Sequence, residues 1–356
     1  MTTTDFLIIG AGIAGVSAAA ELSHLGSCRL IEAEAHAAYH ASGRSAALYE
    51  PFYGPPPMVE FSLASGEGLA AAGVLSPRGV MLVAGHDERD HFDHEAELMR
   101  MEEIAPDAAV AAFPALDPAK VARAAMGARA QDIDTDLLIQ SYQRDARSRG
   151  AEILFSAPAT AIARQDGQWV VTTPKGVFSA KVLINAAGAW ADPVAQMAGI
   201  APKGIVPHRR SMARIPAPAG LDVASWPMLL GVNESFYAKP DAGALIVSPA
   251  DAEPTTAHDA WADDMVLAEG LARYEALMLY PVDRLIANWA GLRSFAPDGA
   301  PVYGRDPDQP DFIWFAGQGG YGFQSSVAAA RFIADIAAGR PTDAQLRRAI
   351  DPARFG

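Results

Sequence analysis

Residues 6–22 read FLIIGAGIAGVSAAAEL, and after a short gap residues 28–34 read CRLIEAE. The run 6–9 is apolar throughout, as a central parallel strand buried on both faces requires. Gly10, Gly12 and Gly15 then fit G-x-G-x-x-G, which supplies a tight turn, close approach of the backbone to a pyrophosphate, and a helix packing contact. Ala11, Ile13, Ala14 and Val16 bring no charge to oppose a phosphate at the helix N-terminus. Glu32 stands at the end of the second strand, where a carboxylate accepts both hydroxyls of an adenosine ribose and repels a 2′-phosphate. The stretch predicts a dinucleotide pocket, with nicotinamide and flavin both open and NADP disfavoured.

Composition narrows the class further. The chain has 356 residues, half of them hydrophobic, which is material for two domains with a large core. A net charge of −14 argues against nucleic acid or an anionic membrane as the main partner. No Lys or Arg precedes residues 6–22, and Glu21 and the glycines interrupt them, unlike a signal peptide. No run of about eighteen apolar residues suggests a transmembrane helix. Cys28 is the only cysteine, which excludes an internal disulfide and a cysteine-based metal cluster, and the cytoplasm is the expected location.

After Ser42 the sequence GRSAALYEPFYGPPPM is too rich in Gly and Pro to continue a doubly wound pattern. Patterning predicts a helix over 58–72, a strand over 80–84 and a charged helix over 92–103. Asp134 or Thr135 in DIDTD caps a helix that ends at Gly150. AEILFSA, ATAIA, QWVVTT and VFSA read as short strands, with PKG as a hairpin turn, and KVLINAAGAWAD returns to buried strand, small-residue turn and helix. Strand-like SFYA and ALIVS and a helix over 263–280 form a second excursion. FIWFAGQGGYGFQSSVAAARFIADIAAG is again strand, glycine turn and long helix, closed by Gly339. The expected fold is α/β: a Rossmann-like cofactor domain (1–50, 130–204 and 287–356) interleaved with a mixed-sheet, α+β substrate domain (51–129 and 205–286).

GAGIAG at the start, YHASGRSAA after the second strand, NAAGAW in the middle and GQGGYGFQSS near the end resemble, in that order, the FAD-dependent D-amino acid oxidase superfamily. YHASGRSAALY, QDIDTD, NAAGAWAD, RRS, WPML, ESFYAKPDAG, WAGLRSF and QGGYG together are most similar to the bacterial D-arginine dehydrogenase group of D-amino acid dehydrogenases. The resemblance covers nearly the whole chain and implies non-covalent FAD, because the closer relatives keep a histidine at the position of His40 with FAD unbonded. Cofactor contacts carry over to Gly10, Gly12, Ile13, Ala14, Gly15, Glu32 and Ala33 for the adenosine and pyrophosphate. They carry over to Ser42, Gly43, Arg44, Ser45, Ala46 and Ala47 along the pyrophosphate and flavin, with Arg44 either pairing with phosphate or anchoring the turn. Ala159, Ala187, Gly188, Trp190, Gly291 and Arg293, and the turn of Gly319, Gly320, Tyr321, Gly322, Phe323 and Gln324, complete the set. The helix after that turn can stabilise negative charge on a reduced flavin.

For the substrate, Arg210, Tyr237 and Arg293 match positions that hold a carboxylate in the D-arginine dehydrogenase group, a task suited to the planar guanidinium fork. The Gly320 carbonyl matches an acceptor for the amine, and Tyr53 matches a loop tyrosine that closes the pocket. Arg209 competes with Arg210 for its role. The implied reaction is oxidative deamination of a D-amino acid to a 2-oxo acid and ammonia, by hydride transfer to the flavin. The electron acceptor, whether quinone, artificial acceptor or oxygen, is open. No second dinucleotide fingerprint supplies electrons from NADPH. The D-arginine enzymes have glutamate where Val80 stands, histidine at Leu48 and threonine at Glu50, which predicts a broad or apolar-leaning range here. Glu50 either restores a partner for a basic side chain or points to solvent.

Two rivals stand beside this reading: an amine oxidase of the sarcosine or glycine oxidase type, and a flavin-carrying subunit of a larger dehydrogenase. No metal is expected. His91 and His94 sit on a charged face, and DIDTD has Leu137 and Gln143 where a calcium loop needs glycine and glutamate.

Overall fold

The computed structural model describes residues 3–86 and 88–356, leaving Asp87, within the charged segment around His91, outside the described residues. The strand Thr3–Ile9 is central because Phe6, Leu7, Ile8 and Ile9 are all buried. It runs parallel to Cys28–Ile31 on one side and to Gly176–Asn185 on the other. Across the sheet the order is Ala161–Gln165, Gln168–Thr173, Gly176–Asn185, Thr3–Ile9, Cys28–Ile31 and Glu152–Leu154. Phe312–Ala316 joins parallel to the end of Gly176–Asn185, and Val302–Arg305 pairs with Phe312–Ala316. VFSA and KVLIN are thus one continuous strand of ten residues, since no glycine or proline interrupts the chain between Val177 and Asn185.

The helices Ile13–Leu22, Thr135–Ser148 and Gly322–Ala338 pack together on this sheet around Val16, Leu22, Leu138 and Ile333. Asp134 is the cap of the middle one, its carboxylate accepting from Leu137 N at 2.8 Å. Gly339 ends the last in a left-handed conformation, with φ 68°.

The second sheet draws on two separate stretches of chain. Its order is Glu253–Pro254, Val206–Pro216, Ala244–Ser248, Tyr237–Asp241, Met228–Gly231, Val80–Ala84, Arg123–Gly127 and Glu102–Ile104. Ala287–Phe295, read with the cofactor domain from sequence, hydrogen-bonds along Val206–Pro216 and so belongs to this sheet. Its core gathers Met81, Phe113, Trp226, Leu229, Leu245 and Tyr274 beneath the helix Asp264–Glu275. A small third sheet of Leu48–Tyr49, Gln131–Ile133 and Leu75–Pro77 lies where the chain passes from one unit to the other.

Three helix boundaries differ from expectation. The second helix is Pro56–Ala71, opening two residues early because proline suits a first helical turn. The charged helix is Arg89–Leu98, shifted towards the N-terminus, since Glu102–Ile104 is taken by strand pairing with Arg123–Gly127 and Arg100 turns left-handed to allow it. Asp263 caps the helix Asp264–Glu275, which stops before residue 280. Among the described residues no helix is long and apolar enough to cross a membrane.

The first strand, turn and helix meet at van der Waals limits. A Cβ on Gly15 would lie 1.8 Å from the Gly10 carbonyl oxygen. Gly15→Ala is therefore expected to destabilise the protein by about 1–3 kcal/mol, visible as a lower midpoint in thermal unfolding.

Candidate active site

The opening turn is held by its own acid. Glu32 accepts from Ala11 N through Oε2 at 2.5 Å and from Glu34 N through Oε1 at 2.9 Å, which fixes the carboxylate beside the glycines. Gly10 has φ 103°, and a Cβ there would lie 2.5 Å from the Ala186 carbonyl oxygen, so the two turns of the sheet touch backbone to backbone. Over this contact lies a cavity of about 380 Å³, bordered by Gly10, Gly12, Glu32, Ala33, Ala159, Ala187, Gly188 and Trp190.

A narrower cavity of about 120 Å³ shares Gly12, Ser42 and Gly188 with it and continues past Ile13, Ala14, Arg44, Gly291, Gly319, Gly322 and Phe323. A third, a chamber of about 400 Å³, shares Ser45, Arg210, Arg293 and Gly320 with the second. Ala46, Ala47, Tyr53, Tyr237, Tyr321 and Gln324 are among its other walls. The three form one trough from Glu32 to the arginines, walled by small residues, as a long dinucleotide requires. Gly15 and Gly43 do not border it. They lie against the carbonyls of Gly10 and Ala38, and serve the packing of the turns.

The residues of the trough fit FAD. The helix Gly322–Ala338 begins at the middle cavity with no acidic residue in its first turn, leaving its positive end free to face negative charge. Ser42 accepts from Ile13 N at 3.0 Å and ties the second turn to the first. Arg44 is committed to anchoring: it pairs with Asp259 at 2.5 Å and donates to the carbonyls of Ala260 at 2.8 Å and Ala290 at 3.0 Å. Lys239 donates to the Ala47 carbonyl at 2.6 Å and clamps the far end of the same turn. His40 borders the first cavity, its Nε2 3.0 Å from Glu34 and its Nδ1 3.9 Å from Asp259, so both ring nitrogens face carboxylates.

In the chamber, strand geometry decides between the neighbouring arginines. Alternation along Val206–Pro216 sends Arg209 to Asp251 and Glu253, while Arg210, 4% exposed, faces the cavity. The antiparallel register pairs His208 with Arg293 and Arg210 with Gly291, which puts Arg210 and Arg293 on one face as diagonal neighbours. Arg210 Nε and the Tyr237 hydroxyl are buried with no hydrogen-bond partner among the described residues. Burial opposes the charge on Arg293, but Tyr53, Tyr237 and Glu234 around it hold its pKa above the ordinary arginine value. A Cβ on Gly320 would lie 2.8 Å from the Arg293 guanidinium carbon, so only glycine leaves that group its place.

Tyr53 stands on the loop over the chamber, its hydroxyl donating to Glu234 Oε1 at 3.0 Å and its ring 5.4 Å from that of Tyr321. Burial first, and Glu234 next, push the Tyr53 hydroxyl well above its usual pKa, so it stays protonated. Gln324 braces that loop from below: it donates to the Tyr53 carbonyl at 2.9 Å and accepts from Glu50 N at 3.2 Å. Glu50 does not point to solvent. It is 2% exposed and paired with Arg129 at 3.0 Å, and burial raises its pKa against the pull of that arginine.

Sequence reasoning did not single out Glu234, Glu95 or Arg129. Glu234 and Glu95 border the chamber and Arg129 backs it; Glu234 opens the segment ESFYAKPDAG, and Glu95 and Arg129 lie outside the motifs that carry the resemblance. Glu234, at φ 48° beside Asn233 at φ 58°, is carried over Arg210 by two successive left-handed residues and lies 3.4 Å from its Nη2.

The sequence model of the DAO family, FAD dependent oxidoreductase, matches residues 5–336. Human mitochondrial dimethylglycine dehydrogenase is 24% identical over 99% of the chain, but the chain spans only 44% of that relative's length. Glycine oxidase of Bacillus licheniformis is 23% identical over 95% of this chain and 94% of its own. The crystal structure of glycine oxidase from Geobacillus kaustophilus shares the fold with a TM-score of 0.84 at 21% identity, covering 100% of this chain and 98% of that one.

Because Glu234 places a carboxylate on Arg210, Glu234→Gln is expected to tighten binding of a simple carboxylate such as benzoate. For a half-exposed ion pair worth about 0.5–1 kcal/mol, the gain is about two- to fivefold, read by titration of protein fluorescence.

Proposed function

The chain belongs to the DAO family of FAD dependent oxidoreductases, and on that premise we propose that it oxidatively deaminates D-amino acids, over a broad, apolar-leaning range, to 2-oxo acids and ammonia. The carrying observation is the convergence of Arg210, Arg293 and Tyr237 on the chamber at the end of the trough, with Arg210 Nε and the Tyr237 hydroxyl left without partners. Leaving a buried donor unpaired costs about 1–3 kcal/mol, and a substrate carboxylate removes that cost.

Each residue has a task in this reading. The two guanidiniums grip the carboxylate and fix the orientation of the α-carbon, which is where most of the rate arises. The Gly320 carbonyl accepts from the substrate amine. Tyr53, protonated over the working range, donates from the loop and shields the chamber from water. Bound FAD would supply the acceptor for the hydride from the α-carbon, and water would hydrolyse the resulting imine to the 2-oxo acid and ammonia. Val80, Leu48, Met228 and Leu230 give the walls an apolar character that supports the side-chain range.

The division into an FAD-binding domain (1–50, 130–204 and 287–356) and a substrate-binding domain (51–129 and 205–286) belongs to the same proposal, with Ala287–Phe295 serving both through Gly291 and Arg293. The carboxylates around His40 support non-covalent FAD. The reading places the reaction in the cytoplasm, with a quinone, an artificial acceptor or oxygen taking the electrons. Similarity to dimethylglycine dehydrogenase favours a second reading, an N-methylated glycine as substrate.

Anaerobic mixing of the flavin-loaded protein with D- and L-amino acids, glycine, sarcosine and N,N-dimethylglycine separates the two. Rapid flavin bleaching by D-Leu, D-Met or D-Phe is expected; faster bleaching by sarcosine would replace the first reading with the second. D-Arg or D-Lys far outpacing D-Leu would overturn the side-chain range, and admitting air times reoxidation by oxygen. Arg210→Lys, which loses the bidentate fork, is expected to lower kcat/KM by about 10- to 100-fold, mainly through KM.

A further inference from the structure

Glu50, which borders the chamber, holds a buried carboxylate oxygen without a partner among the described residues. Glu50 Oε1 accepts from Arg129 Nε at 3.0 Å and from Phe52 N at 3.3 Å, whereas Oε2 has no hydrogen bond among the described residues. Oε2 and Val80 flank the same glycine: a Cβ built on Gly127 would be 3.6 Å from Oε2 and 3.0 Å from Val80 Cγ1. Glu50 and Val80 both border the chamber, and neither borders the cavity that leads to it. The backbone of Glu50 is pinned by Gln324, so the carboxylate has a fixed place.

Arg129 determines what Oε2 can recognise. Its remaining nitrogens donate to the carbonyls of Arg100 and Met99, and its guanidinium lies 4.7 Å over the Phe52 ring. The arginine is committed to Glu50 and neutralises it, so Oε2 offers an acceptor rather than an unmet charge. A cationic tip entering this apolar wall would lose its hydration and find a carboxylate already shared. A neutral donor satisfies Oε2 at much lower desolvation cost. A second carboxylate there would be repelled in a medium that screens weakly.

We propose that Glu50 is the specificity-determining residue of the chamber: Oε2 accepts a hydrogen bond from an uncharged amide or hydroxyl at the tip of the substrate side chain and rejects tips that carry a carboxylate. This rests on the amino-acid reading for the position of the substrate, and it deepens that reading by placing one polar requirement in an otherwise apolar wall.

The test uses ligands that cannot be oxidised, so that it stands apart from the kinetic panel. The flavin-loaded protein is titrated with glutaramate, glutarate and 5-aminopentanoate, following the visible flavin spectrum. These share a carboxylate for the arginines and differ at the tip, which is amide, carboxylate or ammonium. Glutaramate is expected to bind at least tenfold more tightly than glutarate and no more weakly than 5-aminopentanoate. Glu50→Gln keeps an oxygen for Arg129 and is expected to shrink the glutaramate-to-glutarate gap at least fivefold. Equal binding of the two by the unmodified protein, a tenfold preference for 5-aminopentanoate, or a gap unchanged in Glu50→Gln would each overturn the proposal. If the variant fails to hold FAD, the unmodified protein alone decides it. Failure of every amino acid to bleach the flavin would instead remove the proposed reaction.

Discussion

The ladder between Val206–Pro216 and Ala287–Phe295 is the constraint on which the site depends. It is the seam between the middle cavity and the chamber: Gly291 borders the first, and Arg210 and Arg293, on the same side of the pair, border both. A strand has a side-chain period of two, so a slip of one residue would turn Arg293 away from the chamber and bring Leu292 or Ser294 to its place. The register is protected by what surrounds it. Arg209 is locked on the opposite face by Asp251 and Glu253, and Asp251 also accepts from the Ser211 backbone at 2.6 Å.

Charge in the chamber follows from this frame. Two guanidiniums held side by side in a partly buried wall would repel each other, and the Glu234 carboxylate offsets part of that charge, with the Arg293 pKa raised despite its burial. Glu234 reaches that position only through two consecutive left-handed residues, a backbone conformation that costs energy for non-glycine residues and is kept where the site requires it. The acid that the resemblance leads one to expect at position 80 is absent, yet the Glu50 carboxylate, from the segment after Leu48–Tyr49, borders the same chamber as Val80 with its own arginine behind it.

Much of the fold was legible because its signals are local. The apolar run 6–9, the glycine turn, Glu32, the Asp134 cap and the Gly339 stop each act within a few residues. The end of the charged helix is not legible locally, because HDERDHFDHEAELMRMEE favours helix along its length and only pairing of Glu102–Ile104 with a distant strand ends it. The same limit applies at the site. Arg209 and Arg210 cannot be told apart without knowing which face of the strand is covered. The fate of Glu50 depends on Arg129, which lies in a different strand connection and carries no motif. The resemblance supplied the residues that border the trough; the partners that hold them came only from three dimensions.

Gln324 has a consequence of a different kind. Its amide nitrogen donates a hydrogen bond to the Tyr53 carbonyl and its amide oxygen accepts one from the Glu50 N–H, joining the helix that faces the trough to the loop that covers the chamber. A carboxylate at this position could only accept, lysine could only donate, and asparagine is one methylene short. The site thus has a narrow mutational neighbourhood at a residue that need not touch substrate. Drift at position 324 would be felt first as a loosened roof over the chamber, and only afterwards as a change in chemistry.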